Sequence, residues 1–94
     1  MMSDVKALRV RVSGRVQGVS FRYWTLREAE ALGLSGWVRN EPDGTVSALI
    51  KGAEPAVDAM LERLREGPSA ARVSQVTSQS ADPAEAPPDF RITG

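Results

Sequence analysis

The chain has 94 residues, 12 basic and 12 acidic side chains and a formal net charge of zero, whereas a general nucleic-acid binder usually carries a basic excess. It contains no cysteine and no histidine, which excludes disulfides and thiolate metal sites and removes the commonest general base and zinc ligand. No apolar run approaches the ~18 residues of a membrane span, and the opening MMSDVKALRV lacks the zones of a signal peptide, so a single domain over 1–94 in the cytoplasm is expected.

Val5–Ser13 alternates, with Leu8, Val10 and Val12 on one face and Arg9, Arg11 and Ser13 on the other, the pattern of a half-buried strand. The next stretch, GRVQGVSFR (Gly14–Arg22), begins as a glycine-punctuated loop. Ser20 is the expected N-cap of a helix starting at Phe21. Phe21, Thr25, Ala29 and Leu32 form its apolar stripe, flanked by Trp24 and Ala31, and Gly33 suits the position just past its end. Ser35–Asn40 and Thr45–Lys51 are two strands joined by the turn Glu41–Gly44, hence a hairpin. Gly52 ends the second strand, and Pro55 opens a second helix whose Val57, Met60, Leu61 and Leu64 recur at helical spacing to about Glu66. Ala71–Gln79 is a weaker strand in which Val73 and Val76 have opposite parity, so a bulge or a late start is expected. Ser80–Asp89 is a polar, proline-rich loop, and Phe90–Ile92 a short closing strand. The order β-α-β-β-α-β predicts an α+β, ferredoxin-like sandwich: a mainly antiparallel sheet of four or five strands with two helices on one face.

Charge is unevenly placed. Lys6, Arg9, Arg11, Arg15, Arg22 and Arg27 fall in a stretch, Val5–Arg27, that holds no acid. This is either a basic pocket for a small anion or a solvated strand face. A glycine loop feeding a helix start can aim several backbone N–H groups at one point, where the helix dipole also favours an anion. The spacing matches neither a Walker A loop nor the dinucleotide-binding fingerprint. Arg22 in the first helical turn opposes the dipole at about 0.3–1 kcal/mol unless an anion or an acid such as Asp4 or Glu41 answers it. A guanidinium suits a phosphate because it meets two oxygens at once. Asn40, at the end of its strand, reads equally as a turn residue bonding its own backbone.

GRVQGVSFR followed by LGLSGWVRN and DGTV closely resembles the acylphosphatases, over about Val5–Val76 with Phe-x-Ile near the end. The resemblance implies the ferredoxin-like fold and hydrolysis of carboxyl–phosphate anhydrides to a carboxylate and inorganic phosphate, with no metal and no cofactor. It implies that Arg15, Val16, Gln17, Gly18, Val19 and Ser20 cradle the phosphate together with Arg22, and that Asn40 holds the attacking water. Acyl phosphates are already activated, so a strong base is not essential, and the amide at Asn40 can orient water without repelling a phosphate dianion. Nothing in the sequence supplies a base to activate Ser20 as a nucleophile. The expected partners are a small acyl phosphate and inorganic phosphate, with neither nucleic acid nor membrane, and the chain is expected to act as a monomer. Many family members end in a basic residue that fastens the last segment; here Arg91 is the candidate for that contact. Trp37 is expected to pack and Trp24 to lie partly exposed on the helix. The alternative, a ferredoxin-like RNA-binding module, would need aromatic residues on its sheet, where this chain puts arginines and aliphatics.

Overall fold

The computed structural model describes residues 4–94. It comprises β1 (Val5–Arg15), α1 (Phe21–Ala31), β2 (Ser35–Asn40), β3 (Val46–Ala53), α2 (Glu54–Glu66), β4 (Arg72–Ser80) and β5 (Phe90–Ile92). The strands form one sheet in the order β4-β1-β3-β2-β5. Every pairing is antiparallel except β2 with β5, where Gly36 faces Phe90 in a parallel register. The sheet is therefore mixed, an α+β ferredoxin-like arrangement whose edge is closed by a strand of three residues. Among the described residues no helix is long and apolar enough to cross a membrane.

Alternation in the sequence explains the core. Leu8, Val10 and Val12 of β1 and Val46, Ala48 and Ile50 of β3 are buried with Val38 of β2 and Phe90 of β5. Phe21 and Ala29 of α1 and Val57, Met60 and Leu64 of α2 complete the cluster. Ala31 is exposed at the last helical position and takes no part in that face, contrary to the sequence expectation. Central β3 is buried on both sides: Leu49 is fully covered, flanked in register by Arg9 and Trp37. Trp37 is itself covered by the Arg39 guanidinium, 4.6 Å from the ring centre. That stacking is the packing role expected of Trp37. Trp24 is half-buried and meets Phe21 at 5.4 Å.

Two details of β1 and β4 bear on the site. Ser13 pairs with Gln75 and Gly14 with Val73, so Ser74 is an extra residue on β4, a bulge. The bulge reconciles the parity of Val73 and Val76, which both pack against the core. Gly14 has φ 124°, and a Cβ there would lie 2.1 Å from the Arg72 carbonyl oxygen. Gly14 thus serves strand pairing, and β1 runs on through it to Arg15 rather than stopping at Ser13. α1 ends with Gly33 N–H donating to Glu30 O (3.1 Å) and Leu34 N–H to Ala29 O (2.9 Å), the paired bonds of a Schellman cap. The proline-rich loop contains a short 3-10 turn, Pro83–Glu85, which Asp82 caps through Ala84 N–H.

Candidate functional site

β1 runs within the sheet while α1 packs over β2 and β5, so the chain between them must turn sharply and cross the sheet. Val16 is fully buried and Val19 packs against the core, so the connecting loop is pinned by two apolar side chains. Between them Gly18 adopts φ 73° and, just after, Ser20 adopts φ 62°. Ser20 is the only non-glycine residue with positive φ among those described, and its left-handed backbone costs roughly 1–2 kcal/mol. It holds the N-cap position but makes no side-chain cap bond, so it serves the helix start through its backbone, not through its hydroxyl as the sequence suggested. Left-handed residues at such close spacing curl successive N–H groups toward one concave side.

The consequence is a run of unspent donors. From Val16 to Tyr23 no backbone N–H donates to a protein acceptor among the described residues; the first bond of the helix is Trp24 N–H to Ser20 O at 3.0 Å. Six residues of this run, Val16, Gly18, Ser20, Phe21, Arg22 and Tyr23, line an open cavity of about 400 Å³. Asn40 and Ile92 line its other side. Arg22 donates through Nη1 to the Gly94 backbone oxygen, and the Asn40 backbone N–H reaches the same oxygen at 3.2 Å. Neither Asp4 nor Glu41 is the partner of Arg22. The Asn40 Oδ1 is buried and has no hydrogen-bond partner. An unmet buried acceptor typically costs about 1–3 kcal/mol, and such a group in a cavity wall is poised to receive a donor from what enters.

A sequence profile of the acylphosphatase family matches residues 8–92. The chain belongs to the acylphosphatase family. An acylphosphatase from Rhizobium etli is 62% identical over 94 residues, spanning 99% of this chain and 100% of that one. Among solved structures, an acylphosphatase from Coxiella burnetii aligns with a TM-score of 0.90 at 38% identity, over 96% of this chain and 94% of that one. One from Bacillus subtilis aligns with a TM-score of 0.90 at 34% identity, over 97% and 100% respectively. Acylphosphatases are enzymes of the hydrolase class, and the fold and family expected from the sequence both hold.

Within this acylphosphatase fold the sequence-predicted residues separate. Val16, Gly18, Ser20, Arg22 and Asn40 line one cavity. Arg15 ends β1 opposite Arg72, exposed and outside the cavity lining. Val19 is half-buried and packs against the core. Gln17 points its carboxamide away, to the hairpin turn: Nε2 donates to Glu41 O at 2.8 Å and to Thr45 O at 2.9 Å. The basic excess of the first third resolves into both readings at once. Lys6, Arg9 and Arg11 pair with Asp58, Glu85 and Asp43 on exposed surfaces, and Arg22 alone of the six lines the cavity. Arg91 pairs locally with Asp89 at 2.5 Å, and the last segment is fastened instead by Thr93 N–H to Val38 O and by Arg22 and the Asn40 N–H to Gly94 O. Sequence reasoning missed Tyr23 and Ile92, which line the cavity although 58% and 40% exposed. Tyr23 had a signal: it adjoins Arg22 and lies off the apolar stripe of α1.

Proposed function

We propose that the protein hydrolyses small acyl phosphates to a carboxylate and inorganic phosphate, with the phosphoryl group held by the unpaired amides between Val16 and Tyr23 and by Arg22, and with water held at Asn40. The observation that carries this reading is the convergence on one cavity of unpaired backbone donors, a guanidinium and a buried unpaired acceptor. The amides and Arg22 neutralise a phosphate dianion and follow its charge into the transition state, where pre-aimed donors need no reorganisation. Water donates one O–H to Asn40 Oδ1, which turns its lone pair toward phosphorus. The water oxygen–phosphorus bond forms as the phosphorus–acyl oxygen bond breaks, and the carboxylate leaves with the bonding pair. The proton of the attacking water passes to a substrate oxygen, so no side-chain base is required. The Ser20 hydroxyl plays no covalent part. The reaction as proposed needs no metal, cofactor or nucleic acid, and the chain works as a cytoplasmic monomer.

Steady-state hydrolysis of benzoyl phosphate, with inorganic phosphate as competitor, tests the roles separately. Arg22→Ala removes a charge-assisted contact worth about 1.5–3 kcal/mol, so phosphate inhibition should weaken about tenfold to a hundredfold. Asn40→Ala should leave that inhibition nearly unchanged while kcat falls on the order of a hundredfold or more. Full activity in both variants would sink the assignment of roles.

A further inference from the structure

The loop between β1 and α1 is attached to the rest of the molecule in an unusual way. Val16 and Val19 anchor it by apolar contact, which is non-directional and tolerates rotation. Among the described residues, the Gln17 carboxamide makes the only hydrogen bonds recorded for Val16–Val19. Both of its N–H groups go to the mouth of the hairpin turn. Glu41 O and Thr45 O are the two carbonyls there, and Glu41 follows Asn40 directly in the chain. The mouth is itself closed by Glu41 N–H to Thr45 O at 2.8 Å and Gly44 N–H to Glu41 O at 3.1 Å, so Gln17 fastens to a rigid frame.

We infer that the Gln17 side chain is a positioning group: it sets the distance and angle between the amide loop and Asn40, and acts on the reaction through Asn40 rather than by touching phosphate itself. The inference rests on the reaction assigned above. Its chemistry is specific to glutamine. An ionised glutamate has no donor for two carbonyls, asparagine is one methylene short, and methionine keeps the length but loses both donors. Glu41 O and Thr45 O each retain a backbone partner when the carboxamide is lost, so the frame survives and only the loop's attachment is cut. A displacement of the order of 1 Å between a bound phosphoryl group and its water is enough to cost about a hundredfold in rate.

The experiment compares Gln17→Met with wild type, alone and in an Asn40→Ala background. The expected result is a kcat on benzoyl phosphate lowered at least about tenfold, with inhibition by inorganic phosphate unchanged within about threefold. In the Asn40→Ala background the same substitution should lower kcat no further. A parallel loss of phosphate inhibition would place the Gln17 carboxamide in the cradle beside the backbone amides, and multiplied losses in the double variant would make it independent of Asn40; either overturns the inference, as does an unchanged kcat. Gln17→Asn gives the same split if Gln17→Met melts too low to assay. A phosphate titration followed by NMR separates this idea from the reaction. In wild type the amides of Gly18 and Ser20 and the side-chain amide of Asn40 should shift together; in Gln17→Met the loop amides should shift without Asn40. If Asn40 still responds as in wild type, the coupling is wrong, whatever the chain hydrolyses.

Discussion

Ser20 illustrates how much of a site can lie in a residue's backbone. Its φ of 62° is the conformation that glycine adopts without cost and that serine rarely does. Ser20→Gly should therefore keep phosphate inhibition and kcat within about threefold and leave the chain at least as stable, since relief of strain offsets the added chain entropy. Ser20→Val, branched at Cβ, should cost about 1–2 kcal/mol in urea unfolding. Loss of turnover in Ser20→Gly would reinstate the hydroxyl as a reacting group. Arg22 was legible as a cavity residue because a guanidinium at a helix start points to an anion, whereas Asn40 read equally as a turn residue and only the family resemblance singled it out. The handedness of Ser20 and the direction of Gln17 were not legible, because neighbouring elements choose those torsions and the residues' own preferences do not.

At the scale of elements, period and punctuation gave the helices, the hairpin and the bulge, all of which depend on local pattern. The extension of β1 through Gly14 depends on what lies opposite, of which the linear sequence holds no trace, whereas the 3-10 turn at Pro83–Glu85 had a local signal in the cap Asp82 and in Pro83 at its start that the reading of Ser80–Asp89 as a loop passed over. The hairpin turn that carries Asn40 also has an electrostatic dependence. Bonds from Thr45 Oγ1 and N–H hold the Asp43 carboxyl below its usual range, and the Arg39 guanidinium does the same for Glu41. Carboxylates lowered in the folded state add stability above their ordinary range and lose it as pH falls through and below that range. Urea midpoints should therefore decline from pH 7 to pH 3. Asp43→Asn, which keeps an acceptor for Thr45 but cannot titrate, should show a shallower decline; an equal slope would remove Asp43 from the account. The exposure of the Asp43 side chain keeps its share of the effect small.

Across the whole molecule, the last strand closes a circuit with the first loop. β5 lies parallel to β2, its Phe90 is buried against the core, and the chain beyond it brings the Gly94 backbone oxygen to Arg22 and Asn40. Phe90→Ala should cost about 3–5 kcal/mol by cavity formation. It should also loosen phosphate inhibition, because the segment that meets Arg22 loses its anchor; unchanged inhibition in a folded variant would uncouple the two. The parallel edge could not be read from a strand of three residues. The long-range ion pairs Arg9–Glu85 and Lys6–Asp58 were equally hidden, since the fold alone brings acids from the second half to the basic first third.

The run of free amides from Val16 to Tyr23 has a consequence for how such a surface tolerates change. A peptide N–H belongs to every residue except proline. Recognition built from it is written in dihedral angles, so side chains along the stretch can be exchanged while the donors persist. Proline alone deletes a donor outright, and at Gly18 or Ser20 it would also forbid the positive φ that aims its neighbours. For the donors themselves the vulnerable alphabet is therefore one letter long, and the sensitivity of the loop to other changes lies in the side chains that hold its curvature.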